Sequence, residues 1–270
     1  SYDMLGEGAR TMEDADRYYD SYVKAIEVIG KAANGRGPKR SPGISVKLSA
    51  IHPRFEFLHR ERAMRDIPPR LKALCMLAKE YDIGLTVDAE EADRLELSLD
   101  IIEAVFRDED LNGWTGFGLA VQAYQKRAIH VIEHLRALSL EVGRSLMVRL
   151  VKGAYWDTEI KLTQQAGLEE FPVFTRKSST DVSYHACANR LLEYRDTLYP
   201  QFATHNAYSA SVIIELAGDD KEGFEFQCLH GMGDTLYDTV VTEEKIQCRV
   251  YAPVGEHEDL LAYLVRRLLE

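Results

Sequence analysis

Eight short apolar runs, each followed by a longer segment of helical periodicity, most constrain the fold of this chain. Strands that alternate with helices predict parallel βαβ units. Eight such units in 270 residues favour a single-domain (β/α)8 barrel over an open doubly wound sheet. No GxGxxG motif follows a strand, so a Rossmann domain is poorly supported. The strand-like runs are 2–5, 44–48, 85–88, 117–122, 146–152, 201–205, 224–229 and 248–252, and the helical patterns are 12–30, 69–81, 92–106, 126–142, 182–199, 210–217, 235–241 and 258–269.

Composition narrows the class of protein. A net charge of −11 disfavours nucleic-acid binding and a polybasic membrane anchor. No apolar run reaches the ~20 residues of a membrane span, and no signal peptide opens the chain. The four cysteines form no CxxC pair, so we expect core thiols in a reducing, cytoplasmic compartment and no structural metal. Both ends interrupt a regular pattern, so residues 1–270 are expected to be one domain of a longer polypeptide.

Polar residues cluster at the carboxyl ends of the predicted strands, where barrels of this kind carry their active sites. Lys47, Gln122 and Arg149 lie within apolar runs and are expected to point into the barrel. The alternative for any one polar residue is a helix cap, since Asp and Asn after a strand often begin the next helix. The remaining strand-end residues are Glu7, Asp88, Lys152, His205, Asn206, Gln227, His230 and Tyr251.

The segment 147–157 carries a charge in the middle of a short apolar run. Burying Arg149 is costly unless it is satisfied, so either this strand is exposed or the guanidinium reaches a polar or anionic ligand. Lys152, Gly153 and the adjacent aromatics Tyr155 and Trp156 follow it. This combination suits a large, flat, phosphate-bearing cofactor.

For each of two other segments, both an anion-binding role and a purely structural role fit the residues. Tyr263, Arg266, Arg267 and Glu270 share a helix face, which either clamps a carboxylate or is a solvated face. The basic, hydroxyl-rich segment 174–181 either holds phosphates or is a capped helix start, with Thr180 or Asp181 as the N-cap.

Other motifs are weaker. Gly231 and Gly233 form either a phosphate-binding turn or an ordinary tight turn. His130 and His134 have zinc-like spacing but no third ligand, and Glu90 and Glu91 are expected to decorate a helix N-terminus.

The sequence closely resembles the proline dehydrogenase domain of the bifunctional flavoenzymes called proline utilization A. The resemblance spans the whole chain in order. The matching segments are 2–7, 45–50, 87–91, 148–157, 171–177, 204–206, 225–233, 249–255 and 264–270.

The resemblance implies a distorted (β/α)8 barrel with noncovalent FAD. It implies oxidation of L-proline to Δ1-pyrroline-5-carboxylate, with hydride transfer to flavin N5 and a quinone as electron acceptor. Because the aldehyde dehydrogenase and DNA-binding modules of longer members are absent from these 270 residues, we expect neither activity from them. A bacterial cytoplasmic location is expected, with peripheral membrane association only in a full-length enzyme.

The resemblance also implies residue roles. Arg266 and Arg267, helped by Lys47, are expected to bind the proline carboxylate, and Glu7 to pair with Arg266 as a gate. Arg149 is expected near flavin N5. The expected substrate residues are Glu7, Lys47, Asp88, Tyr155, Leu229, Tyr251, Tyr263, Arg266 and Arg267. The expected FAD residues are Gln122, Arg149, Val151, Lys152, Gly153, Ala154, Trp156, Thr175, Arg176, Lys177, Thr180, His205, Asn206, Gln227 and Glu270.

Two alternatives stay open on the residues alone. One is a barrel lyase or isomerase acting on a phosphorylated substrate, suggested by Lys47 and the glycine turn at 231–233. The other is a non-catalytic barrel that binds a carboxylate ligand through the arginine pair.

Overall fold

The eight strands pair in chain order in one closed parallel barrel, with helices between successive strands, which confirms the predicted (β/α)8 architecture. The computed structural model describes residues 1–6 and 8–255. The strands are β1 (Tyr2–Met4), β2 (Ile44–Val46), β3 (Leu85–Val87), β4 (Phe117–Gln122), β5 (Leu146–Val151), β6 (Leu198–Ala203), β7 (Glu225–Leu229) and β8 (Cys248–Val254). The helices are α1 (Met12–Ala33), α2 (Leu48–Ile51), α3 (Arg60–Glu80), α4 (Leu95–Phe106), α5 (Ala128–Val142), α6 (Trp156–Gln165), α7 (Lys177–Glu193), α8 (Ala207–Ala217) and α9 (Asp234–Thr242).

Helix α3 is longer than predicted, because it continues through two prolines. We expected a start at Pro69, yet the helix begins nine residues earlier, at Arg60. A proline inside a helix costs about 3 kcal/mol through its missing N–H and its ring. Ala63, Ile67 and Leu71 are fully buried at helical spacing on both sides of the prolines. Burying each large aliphatic side chain stabilises by roughly 1.5–3 kcal/mol, so packing offsets the local preference.

Two further boundaries differ from the prediction. Helix α6 was not predicted, because it is largely polar and only Glu159 and Thr163 are buried along it. Strand β6 begins at Leu198, inside a segment that was predicted as helical, because α7 ends at Glu193. A turn in which the Leu198 N–H donates to the Tyr194 carbonyl separates the two elements.

The described residues divide into two compact units, Ser1–Leu119 with 253–255, and Ala120–Ala252. In the first unit Ile44 pairs with Leu85 and Val46 with Val87, so the ends of β2 and β3 are level. Helix α1 begins with a capping box, in which the Thr11 hydroxyl accepts from the Asp14 N–H and the Asp14 carboxylate accepts from the Thr11 N–H. These pairings place the residues after β2 and β3 side by side.

In the second unit, the register brings polar residues of four strands onto one face. Arg149 pairs with Gln201, and Gln201 with Glu225. Gln227 pairs with Arg249 in the next strand. Because neighbouring partners share a face of the sheet, these side chains lie together. The opposite face carries an aromatic cluster of Phe202, Phe224, Phe226 and Tyr237, with successive ring centroids 5.7–6.1 Å apart.

Within residues 1–6 and 8–255, no helix combines the length and apolar character that a bilayer crossing requires. The same residues contain no group of three or more His, Cys, Asp or Glu side chains arranged to hold a metal ion.

Candidate active site

A buried lysine between two carboxylates is the main polar feature at the strand ends of the first unit. Lys47 Nζ lies 2.8 Å from Asp3 Oδ1 and 2.9 Å from Asp88 Oδ2. Lys47 is only 6% exposed and Asp3 only 3%. The Asp88 N–H donates to the Val46 carbonyl, which extends the β2–β3 pairing by one residue and holds Asp88 beside Lys47. The buried ammonium is therefore paired and hydrogen-bonded, which is the condition under which burial of a charge is tolerated.

Sequence reasoning found Lys47 and Asp88 but missed Asp3 and Tyr22. Asp3 lies in the middle of β1 and is inward-facing, so an acid inside a three-residue apolar run was the available signal. The hydroxyl of Tyr22, on α1, accepts from the Lys47 backbone N–H at 3.1 Å. Burial raises the pKa of Tyr22 well above its ordinary value, so the phenol stays neutral. Nothing in the periodicity of α1 distinguished this tyrosine from a core residue.

Glu90 differs from its expected role as a helix decoration. It is 6% exposed. Its carboxylate accepts from the Ser49 backbone N–H at 3.0 Å and lies 3.2 Å from Arg94 Nη1. Burial raises its pKa to about 7, against the lowering effect of the Ser49 and Arg94 contacts. Glu90 therefore ties the segment after β3 to helix α2.

In the second unit, the buried charge of β5 is satisfied by protein groups. Arg149 is 5% exposed, so the strand is buried, and its Nε donates to Gln227 Oε1 at 2.8 Å. Its guanidinium carbon lies 4.6 Å from the centroid of the Tyr251 ring, a cation–π distance. The structure thus brings together Arg149, Gln227 and Tyr251, three residues that were predicted separately.

A buried carboxylate, Glu225, is connected to this arginine through Gln227, and sequence reasoning missed it. Glu225 is fully buried and accepts two hydrogen bonds from Arg249, at 2.6 and 2.8 Å. Gln201 and Gln227 donate to the same carboxylate at 2.8 and 3.0 Å. The pKa of Arg249 is raised, because pairing with Glu225 outweighs the opposing effect of burial. Gln201 Oε1 is buried without a hydrogen-bond partner in the described part of the chain, an acceptor suited to a ligand N–H or water.

The backbone after β5 is held close to that after β4. The Ala123 N–H donates to the Val151 carbonyl, and the Ala154 N–H donates to Gln122 Oε1 at 3.1 Å. Gly153 has a φ of +145°, and a Cβ there would lie 2.5 Å from the Tyr124 ring. Only glycine fits this conformation and this approach. The predicted residues Gln122, Gly153 and Ala154 therefore form one wall, in which Gln122 is buried and the other two residues are half-buried.

A lysine pair lies around Asp181 at the first turns of α7. Lys152 Nζ lies 2.5 Å from Asp181 Oδ1, and Lys177 Nζ lies 3.0 Å from Asp181 Oδ2. Burial alone would raise the pKa of Asp181, but the hydrogen bonds from both lysines hold it below its ordinary value. Helix α7 begins after Arg176, earlier than the capped start at Thr180 or Asp181 that we considered. The exposed Arg176 and Lys177 therefore bring positive charge to the N-terminus of a helix, a favourable place for phosphate.

The other predicted residues of this unit have identifiable local roles. Trp156 begins α6 and is 42% exposed, with its indole N–H donating to the Phe174 carbonyl at 2.9 Å. His205 Nε2 accepts from the Leu229 N–H at 2.9 Å, and Asn206 caps α8 through the Ser209 N–H. The latter is the cap role considered as the alternative for Asn206. Val151, Tyr155 and Leu229 are half-buried, Thr175 is exposed and Thr180 is buried.

Five predicted site residues lie outside the described residues, namely Glu7, Tyr263, Arg266, Arg267 and Glu270. Their roles in substrate and cofactor binding stay predictions. The described residues provide a buried cation with two acids in one unit. In the other unit they provide a held guanidinium, a glycine wall and a basic helix start.

Comparison with known proteins places these features in a family. A sequence model of the proline dehydrogenase family matches residues 1–270. The chain is 57% identical to the bifunctional protein PutA of Klebsiella aerogenes and 56% identical to that of Escherichia coli, over all of this chain and 21% of each relative. It thus spans about a fifth of the length of these curated relatives. The crystal structure of a variant of Bradyrhizobium japonicum proline utilization A matches with a TM-score of 0.97 at 59% identity, over 100% of this chain and 28% of that one.

Proposed function

The chain belongs to the proline dehydrogenase family, and on that premise we propose that it oxidises L-proline to Δ1-pyrroline-5-carboxylate with noncovalently bound FAD, passing electrons to a quinone. The observation that supports this most is the buried guanidinium of Arg149, held by Gln227 and Tyr251 in the second unit. A fixed cationic donor suits a cofactor that gains negative charge on reduction.

The described residues of the second unit fit such a cofactor. Gly153 leaves room where any side chain would strike Tyr124, so a flat ring system can approach the backbone. Gln201 Oε1, which has no hydrogen-bond partner among residues 1–6 and 8–255, offers a buried acceptor of the kind that an imide N–H requires. Arg149 supplies the donor. We propose that Gln122, Val151, Ala154, Trp156 and Gln227 line the remainder of the isoalloxazine site.

The basic start of α7 fits the phosphates of the same cofactor. Arg176 and Lys177 bring positive charge to a helix N-terminus, where backbone N–H groups also favour an anion. We assign the phosphate and adenosine portion to these residues and to Lys152, Thr175, Thr180, His205, Asn206 and Glu270.

The lysine cluster of the first unit fits a small zwitterionic substrate. Lys47 provides a cation for a carboxylate, and Asp3 and Asp88 hold the ammonium in one position. We propose that Lys47 acts with Arg266 and Arg267 on the proline carboxylate. Glu7 closes the site by pairing with Arg266. Tyr155, Leu229, Tyr251 and Tyr263 cover the apolar ring methylenes.

The division of work follows from these contacts. When bound, FAD would supply the hydride acceptor for the reaction, and this chemistry belongs to the cofactor. The protein binds the carboxylate, orients the ring carbon that bears the hydride and excludes water. The substrate amine must be deprotonated for the reaction, so kcat/KM for L-proline is expected to rise with pH.

Spectroscopy tests this function directly. Purified protein is titrated with FAD, and L-proline is then added without oxygen. We expect the bound flavin to show its visible absorption, to bleach with L-proline and to recover when a soluble quinone is added. Failure to bind FAD would exclude the proposal and favour the phosphorylated-substrate lyase or isomerase. Flavin that binds but does not bleach would favour the carboxylate-binding barrel.

A relative suggests an independent chemical test. Proline utilization A of Bdellovibrio bacteriovorus, 30% identical with a TM-score of 0.93, has been crystallised after inactivation by N-propargylglycine. We expect this reagent to inactivate the present protein in a time-dependent manner, and L-proline to protect it.

The related enzymes named above come from bacteria, and we propose a cytoplasmic location, with peripheral membrane contact confined to a full-length form.

A further inference from the structure

Glu225 is a fully buried carboxylate that the proposed reaction does not itself use. It lies on β7, two residues before Gln227, so both side chains extend from the same face of the strand. Its oxygens accept from Arg249, Gln201, Gln227 and Gln247. A buried carboxylate that accepts this many hydrogen bonds fixes the positions of the donor side chains as well as its own.

Gln227 connects this carboxylate to Arg149. Its Nε2 donates to Glu225 Oε1 at 3.0 Å, and its Oε1 accepts from Arg149 Nε at 2.8 Å. A carboxylate has no proton to donate and a guanidinium has no acceptor, so only one orientation of the Gln227 amide satisfies both neighbours. The negative charge of Glu225 therefore determines that the Gln227 carbonyl faces Arg149.

We propose that Glu225 is a positioning residue: through Gln227 it fixes the guanidinium of Arg149 in the orientation needed to stabilise a reduced flavin. The proposal rests on the proposed function for its redox consequence. The orientation of Arg149 itself is a property of the protein alone.

A positioning role and a purely electrostatic role of Glu225 predict opposite changes in the midpoint potential of the flavin. If Glu225 acted only by its charge, Glu225→Gln would remove a negative charge and favour reduced flavin. In the positioning account, glutamine at 225 both donates and accepts. The Gln227 amide can then turn over and present its NH₂ to Arg149, which cannot accept it. The Arg149 contact loosens, and reduced flavin is disfavoured.

The connection from Glu225 through Gln227 to Arg149, called the relay below, is tested with Glu225→Gln and Gln227→Leu. The second variant cuts the link to Arg149 and leaves the charge of Glu225 and its Arg249 contacts in place. Gln247→Ala is the control, because it also removes a donor to Glu225, 3.2 Å from the other carboxylate oxygen, and leaves the Gln227 side chain in place. Each variant is compared as flavin-free and as flavin-loaded protein.

The flavin-free readout is hydrogen exchange of the Arg149 Nε–H by nitrogen NMR, with the signal assigned through Arg149→Lys. We expect a slowly exchanging signal in wild type and the Gln247→Ala control. We expect at least tenfold faster exchange in both relay variants. Unchanged exchange in Gln227→Leu would overturn the proposal even if Glu225→Gln did not fold.

The flavin-loaded readout is the midpoint potential. We expect reduced flavin to be disfavoured at least tenfold in both relay variants, which is a fall of about 30 mV for a two-electron couple. The control is expected to keep the wild-type potential. A rise in Glu225→Gln with no change in Gln227→Leu would leave only a charge effect and refute positioning. A wild-type protein that bound no flavin would refute the proposed function, while the exchange measurement would still decide the orientation of Arg149.

Discussion

Replacing Lys47 by methionine is expected to destabilise the protein strongly, because it removes the ammonium that contacts both Asp3 and Asp88. Methionine keeps most of the side-chain length without the charge. Asp3 and Asp88 lose contacts of 2.8 and 2.9 Å and remain almost completely out of solvent. A buried carboxylate that loses its ammonium partner must be desolvated, neutralised by a proton or exposed by local unfolding, and each of these costs free energy.

The expected loss in the free energy of unfolding follows from the burial of the ion pairs of Lys47. Removing one partner of a buried ion pair typically costs about 3–5 kcal/mol. For 270 residues, the unfolding entropy converts this to a fall in Tm of roughly 5–9 °C. The penalty is expected to shrink as the pH is lowered from 7 towards 5. In the variant the facing carboxyls bind a proton more tightly when folded than when unfolded, so protonation favours the folded state.

Urea unfolding followed by tryptophan fluorescence, at pH 7 and pH 5, measures this prediction. Lys72→Met is the control, since Lys72 also contacts two acids, Asp108 and Asp110, but at the surface. We expect only a small change there, because exposed pairs contribute little. Adding Asp3→Asn to Lys47→Met should restore part of the lost stability. A loss below about 1 kcal/mol, or a double variant no more stable than Lys47→Met, would refute the reasoning.

Three further outcomes are expected. Gly153→Ala places a Cβ 2.5 Å from the Tyr124 ring at a φ of +145°, so it should lower stability by about 1–3 kcal/mol and weaken FAD uptake; wild-type Tm and FAD titration would contradict this. Burial raises the pKa of Glu90 to about 7 from an ordinary 4.5, so its contribution makes the unfolding free energy fall as pH rises between these values. Glu90→Gln should flatten that slope in urea melts at pH 5 and 8, and an unaltered slope would show that Glu90 titrates normally. Trp114→Phe removes the buried bond to the Ile83 carbonyl at 3.1 Å and should cost about 1–3 kcal/mol, whereas an unchanged melting curve would mean that water replaces the indole.

The barrel was predictable because its signal is local. Each strand is a short apolar run, and each helix buries a periodic face, so neighbouring residues alone indicate the element type. Element ends were less predictable. Helix α3 continues through Pro68 and Pro69 because residues distant in sequence pack on its buried face. The polar helix α6 gave little periodicity to detect.

Individual site residues were predictable where a charge interrupts an apolar run. Lys47 and Arg149 stood out for this reason, and both are buried. Lys47 directly follows β2, and Arg149 lies within β5. Their partners were harder to find. Asp3 and Glu225 are also acids within or beside apolar runs, but sequence alone does not say which residue of another strand each one faces.

The sequence by itself therefore determined the alternation of strands and helices, the family and the residues whose burial demands a partner. Only the tertiary structure decided the partners: Asp3 and Asp88 for Lys47, and Gln227 with Tyr251 for Arg149. The physical reason is strand register. A shift of one residue would turn every side chain of a strand to the opposite face. Register depends on pairing between segments distant in the chain, such as Leu146 with Leu198 in β5 and β6, and it sets which side chains of non-adjacent strands meet, as Arg149 and Gln227 do.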